Sequence, residues 1–194
     1  FVTQMSLKGP SDINHLKMQQ MVALKIVTPR WHTTWRILPA ANGSGFYLAG
    51  WTDDEWGRNA VDFSCAPPPQ VVTVAGGTPP QPGFYVDFKI EPGGRGAAAV
   101  LVKSVQQYIL ELDAGAVIIP KDALVKPAYV DTSYRTRVGA RIRVSRQFLG
   151  AMLESNHIGF AYIFSKTANV PLRLIQFEGG LNDKLLRRFA ATCH

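Results

Sequence analysis

Phe84, Val86, Phe88 and Ile90 alternate with Tyr85, Asp87 and Lys89, and Pro92-Gly93-Gly94 ends the run. A period of two puts the four apolar side chains on one face of an extended strand and the polar three on the other. That is the pattern of an antiparallel strand with one face on a core. The same pattern recurs along the chain, because 17 glycines and 13 prolines punctuate short apolar segments. Many strands joined by turns are therefore predicted.

Strands are expected at 21–27, 31–38, 45–51, 60–65, 70–74, 84–90, 97–103 and 107–112. Asp113-Ala114-Gly115 then turns the chain into a strand at 116–119, with glycine supplying a positive-φ position and Pro120 closing the hairpin. Residues 121–132 read as an irregular link and 135–144 as a long strand. A short helix follows at 145–154, where Ser145 is the N-cap and Phe148, Leu149, Met152 and Leu153 fall at helical spacing. Strands at 158–164 and 172–177 lead to a final helix at 182–192. There Leu181, Leu185 and Phe189 lie a turn apart and Cys193 continues their row. The stretch 13–25 is expected to begin with a short helix capped at Ser11 or Asp12. The fold class is mainly β: an antiparallel sandwich or barrel-like sheet with two short helices, one of them C-terminal. Residues 1–12 are expected to form a flexible arm and 13–194 a single domain.

A chain of 194 residues with 46% hydrophobic content can fill one sizeable core. No apolar run approaches the roughly 20 residues a membrane-spanning helix needs. The first residue is Phe1 rather than Met, which places the start downstream of a translational start and leaves no targeting segment to read. The net charge of +7 favours an anionic partner, either an acidic protein or an anionic polymer, although solubility alone also accounts for such a charge. Oligomeric state has no signature in the sequence.

Arg135, Arg137, Arg141 and Arg143 have the same parity on the strand at 135–144 and are expected to share one face, with Val138, Ala140, Ile142 and Val144 opposite. Guanidinium groups bind carboxylate or phosphate through a planar fork, so this row is the candidate anion- or partner-binding site. The alternative is a solvated face whose arginines pair with neighbouring carboxylates. A basic nucleic-acid-binding or virion-associated protein is a further alternative, and nucleic acid is disfavoured because base stacking wants interleaved aromatics and only Tyr134 lies nearby.

Trp51-Thr52-Asp53-Asp54-Glu55-Trp56 sets three carboxylates between two indoles, a possible carbohydrate platform. It is the basis for an alternative role as a carbohydrate- or cell-wall-acting hydrolase. Consecutive acids in a turn rarely reach the opposed separation that glycoside hydrolysis needs, so an exposed turn is the competing expectation. His15, His32, His157 and His194 form no metal-binding spacing, and no nucleophile elbow or phosphate-binding loop is present. Catalytic residues, metal and cofactor are all expected to be none.

The two cysteines, Cys65 and Cys193, share no zinc-type spacing. Val61, Phe63 and Cys65 lie on one strand face and Cys193 extends an apolar helical row, so both sulfurs can reach the core. A bridge would close a loop of about 130 residues and stabilise by roughly 4–5 kcal/mol in the chain-entropy picture. Two buried free thiols in a cytosolic protein are the alternative.

The ending, Leu174-Ile175-Gln176-Phe177-Glu178-Gly179-Gly180-Leu181 and then Phe189-Ala190-Ala191-Thr192-Cys193, resembles small exported proteobacterial proteins in which a Phe-x-x-Gly strand leads into a short helix ending in Cys. The invasion-associated locus B proteins and the periplasmic accessory proteins of type VI secretion are such families. Trp35 and the Val61-x-Phe63-x-Cys65 strand are similar to their amino-terminal half. The resemblance covers about 60 scattered residues, and the segments 1–30 and 66–83 depart from it. It implies a periplasmic β-sandwich with a Cys65–Cys193 disulfide and no catalytic residues. A non-enzymatic periplasmic or secreted binding or assembly module is the role expected overall.

Overall fold

Because Val86, Phe88 and Ile90 share one apolar face, the strand that carries them needs a second layer to cover it. The computed structural model describes residues 32–40, 45–54, 56–66, 83–93, 95–132, 136–165, 172–179, 185, 188 and 189. Among these run β1 (Thr34–Pro39), β2 (Phe46–Asp54), β3 (Gly57–Ala66), β4 (Gly83–Ile90), α1 (Arg95–Ser104), β5 (Val105–Leu112) and β6 (Gly115–Ile118). They are followed by β7 (Leu124–Asp131), β8 (Arg137–Val144), α2 (Arg146–Glu154), β9 (His157–Phe164) and β10 (Leu172–Glu178). The strands form two open antiparallel sheets, of order β1-β2-β3-β4-β8-β7 and β10-β9-β5-β6. The fold is thus a sandwich, not a closed barrel.

Aromatic rings join the layers. Phe88 stacks on Phe160 with centroids 3.9 Å apart and meets Phe177 at 6.4 Å. The Tyr162 hydroxyl donates to the Phe88 carbonyl at 2.7 Å, so a phenol buried among hydrocarbon keeps its hydrogen bond. Val61, Phe63, Val138, Ala140 and Ile142 from the larger sheet and Ile158 and Ile175 from the smaller one complete the core.

Side-chain to backbone bonds lace both sides of the sandwich. At the β1–β10 side, Trp35 Nε1 donates to the Glu178 carbonyl at 2.9 Å, and Glu178 N donates to Thr33 Oγ1 at 2.7 Å. At the other side, Ala128 N of β7 donates to the Tyr108 hydroxyl of β5 at 2.7 Å. Trp35 lies flat across Gly50, and a Cβ there would stand 2.5 Å from its ring. Only glycine admits the indole.

The expected strands at 31–38, 45–51, 60–65, 84–90, 107–112, 116–119, 158–164 and 172–177 appear within a few residues of their predicted bounds. Gly115 takes φ +127°, and Ser145 Oγ caps α2 by accepting from Phe148 N at 3.1 Å. Two expectations are corrected. The segment predicted as a strand at 97–103 is α1: its buried or half-buried Ala98, Leu101 and Val102 stand at i, i+3 and i+4, and its alanines favour helix. The irregular link at 121–132 contains β7, which tolerates Pro127 because it lies at a sheet edge.

The N-terminal arm, the short helix expected at the start of 13–25 and the strands at 21–27 and 70–74 lie outside the described residues. Of the predicted C-terminal helix, Leu185, Arg188 and Phe189 are described, and all three are helical. Phe189 is fully buried in the core. No helix among the described residues is long and apolar enough to cross a membrane.

The β5–β6 turn is latched to the loop between α2 and β9. Asp113 Oδ2 accepts from Asn156 N and Nδ2 at 2.7 and 2.8 Å, and its Oδ1 lies 2.7 Å from His157 Nδ1. The Asn156 amide, helped by His157 and the Asn156 side chain against slight desolvation, holds the Asp113 carboxyl below its usual 3.8. A carboxyl lowered in the folded state adds stability above its unfolded pKa and loses it as pH falls through the folded value. Asp113→Asn is therefore expected to lower Tm by about 2 °C at pH 7. In thermal melts across pH, that deficit should close as the pH is taken below the usual aspartate range.

Candidate functional site

Strand β8 lies inside the larger sheet, between β4 and β7, and this position decides what its arginines can do. Arg137, Arg141 and Arg143 do share a face, but they do not form the expected row of exposed cations. Arg137 is 5% exposed, opposite Asp131 of β7. Arg141 stands opposite Asp87 of β4, with Nε 3.0 and 2.9 Å from its two carboxylate oxygens. Arg143 is exposed. Arg135 lies outside the described residues.

The arginines belong to a charged network that crosses four strands. Asp62 of β3 and Asp87 of β4 are direct cross-strand partners, a juxtaposition that like charges disfavour unless each is neutralised. Lys89 serves Asp62, with Nζ 2.8 Å from its Oδ2, and also reaches Asp131 Oδ2 at 3.2 Å. Arg141 serves Asp87, which also accepts from the Tyr129 hydroxyl at 2.9 Å. Tyr129 lies flat over Gly139, where a Cβ would stand 2.5 Å from its ring.

Burial raises the Asp62 carboxyl, and Lys89 only partly offsets it. Burial also opposes the charge on Lys89, but Asp62, Asp131 and Asp87 outweigh it and raise the ammonium pKa. Burial and then Asp87 push the Tyr129 phenol far above its ordinary value, so it remains a donor. Asp62, Asp87 and Asp131 are sunk to 17%, 4% and 12% side-chain exposure. Arg36 and Lys126, which share the cross-strand row of Asp62, Asp87 and Arg141, are exposed, as are Arg141 and Arg143. Asp62, Asp87 and Asp131 lie low in the network with Lys89 and Arg137, and Arg36, Lys126, Arg141 and Arg143 stand above them.

The Trp51 to Trp56 segment is the β2–β3 hairpin tip. Successive residues on a strand face opposite ways, so Asp53 and Asp54 diverge. Asp53 pairs with Arg58 at 3.0 and 3.2 Å on the exposed side. Asp54 accepts from Trp56 N, Gly57 N and Asn59 Nδ2, and from Arg173 of β10 at 2.8 and 3.0 Å. The Arg173 guanidinium also lies 4.9 Å from the Trp56 ring. Trp51 is half-buried, and Glu55 lies outside the described residues. The described carboxylates of the candidate carbohydrate platform, Asp53 and Asp54, are engaged with Arg58 and Arg173, and the second pair ties the hairpin to β10.

Cys65 is half-buried beside the core and is not a free thiol, whereas Cys193 lies outside the described residues. His32 is 3.2 Å from Glu178 and His157 is in the Asp113 latch. Among the described residues no group of three or more His, Cys, Asp or Glu side chains is arranged to hold a metal.

A shallow hollow of about 480 Å³ opens where β4, β8 and α2 meet, bordered by Arg143, Arg146 and Asp122. Sequence reasoning missed Arg146, and it placed Asp87 and Lys89 on a polar face without joining them to Asp62. Parity marks a face but not the neighbouring strand. No family model matches the chain, nor does any curated protein or solved structure.

Removing Asp87 strands both Arg141 and Tyr129. Asp87→Ala is expected to cost about 3 kcal/mol in urea unfolding. Arg141→Ala, truncating a half-exposed partner, should cost no more than about 1 kcal/mol.

Proposed function

We propose that the protein is a non-enzymatic binding or assembly module of a periplasmic or extracellular compartment, which offers the outer face of its larger sheet to an anionic partner. The partner is an acidic protein or an anionic polymer. One observation carries the reading: in the central rows of that face Asp62, Asp87 and Asp131 are sunk and paired and the exposed Asp53 is paired with Arg58, while Arg36, Lys126, Arg141 and Arg143 reach solvent. An approaching anion therefore meets cations first, and counter-charge beneath keeps them from destabilising the sheet by mutual repulsion.

Nucleic acid is the less favoured partner. Tyr85 is buried and Tyr129 is pinned between Gly139 and the Lys126 ammonium, so neither ring offers an open face for base stacking. The exported location rests on the resemblance to small periplasmic proteins and on a proposed Cys65–Cys193 disulfide, with which the lack of a free thiol at Cys65 agrees.

Two measurements test this reading. Intact mass after alkylation in denaturant should gain no label without reductant and two labels with it; two labels without reductant would overturn the exported assignment. Wild-type protein should be held on heparin and on immobilised poly-glutamate and released as salt rises. Arg36→Ala/Lys126→Ala should elute at clearly lower salt with unchanged Tm, and equal retention would overturn the proposed binding face.

A further inference from the structure

Arg143 lies at the edge of the cationic face, and its guanidinium also borders the hollow between β4, β8 and α2. Its Nε passes 3.1 Å from where a Cβ on residue 83 would lie, so Gly83 leaves the room in which this side chain rests against the start of β4. Arg146, the first residue of α2, stands on the same rim. Phe84, Pro120, Ala123 and Val144 supply apolar walls. Two guanidinium groups and one carboxylate, Asp122, border it, and a guanidinium presents a planar fork of donors that fits a carboxylate.

At about 480 Å³ the hollow is near the lower end of ligand sites and open to solvent, so it suits one residue projecting from a partner better than an enclosed metabolite. A chain end carries a carboxylate and a side chain on one Cα, so a single small recess can take both. We propose that this hollow receives the C-terminal carboxylate of a partner polypeptide ending in an apolar residue, with Arg143 and Arg146 on the carboxylate and Phe84 and Val144 against the side chain. The proposal rests on the anionic-partner reading and gives it a ligand chemistry.

N-acetyl-leucine serves as the probe, titrated into the full chain while amide NMR shifts are followed. Saturable shifts are expected at Gly83, Phe84 and Arg143 to Phe148, with N-acetyl-leucinamide and acetate each binding at least about tenfold more weakly. Arg146→Ala should weaken N-acetyl-leucine about tenfold at unchanged Tm, because it removes a charged donor from an exposed position. Equal binding of the amide, full affinity in Arg146→Ala, or no saturable shift at this end of the sheet would each overturn the proposal. Heparin and poly-glutamate retention of the same variant separates the two levels. Retention kept while the probe fails rejects the hollow alone, and retention absent even in the wild type rejects the anionic-partner reading beneath it.

Discussion

The stack of Phe88 on Phe160, closed by the Tyr162 hydroxyl on the Phe88 carbonyl, is the contact that the rest of the sandwich depends on. It joins the two sheets through the interior between them. Phe88 is on β4, which pairs with β3 on one side and β8 on the other, so fixing its inner face also fixes which side chains of three strands point outward. Asp62, Asp87, Lys89 and Arg141 stand on the outer face because Phe63, Val86, Phe88 and Ile142 must stand on the inner one. A slip of one residue would bury the charges and expose the core.

The outer face would be unstable as a simple charged surface. Two aspartates lie directly opposite each other across β3 and β4, and the sheet accommodates them by giving each its own cation. Such a network constrains more than it stabilises, since desolvation offsets much of the attraction between buried charges. Its consequence is geometric. Lys89 and Arg141 each have a fixed partner, and Arg36, Lys126, Arg143 and the exposed part of Arg141 stand above them at the surface.

Local signals made much of this legible in the sequence. The alternation of β4, the Asp113-Ala114-Gly115 turn and the Ser145 cap each lie within one element and survive into the fold. The apolar run of α1 is too short for its period to separate helix from strand, and Pro127 masked β7 because an edge position cannot be recognised before the sheet order is known. The arginine row was half legible: parity put Arg137, Arg141 and Arg143 on one face, but burial of Arg137 follows from β7 lying beside β8. The floor of aspartates was hidden for the same reason, since Asp62, Asp87 and Asp131 come from three strands that meet only through long-range pairing. Asp54 looked like a binding-site acid because Arg173, its partner, lies 119 residues away.

The clasp between β1 and β10 joins Trp35 and Thr33 to Glu178 across 143 and 145 residues of chain. Synthesis delivers a polypeptide from its amino end, so the first strand of the larger sheet emerges long before the residue that fastens it. Until β10 arrives, the indole of Trp35 covers Gly50 without its carbonyl partner and the β1 margin stays open. Closing so large a loop comes late on entropic grounds. The growing chain therefore passes through an interval with an unlatched edge, in which a chaperone or a neighbouring copy competes with the protein's own last strand.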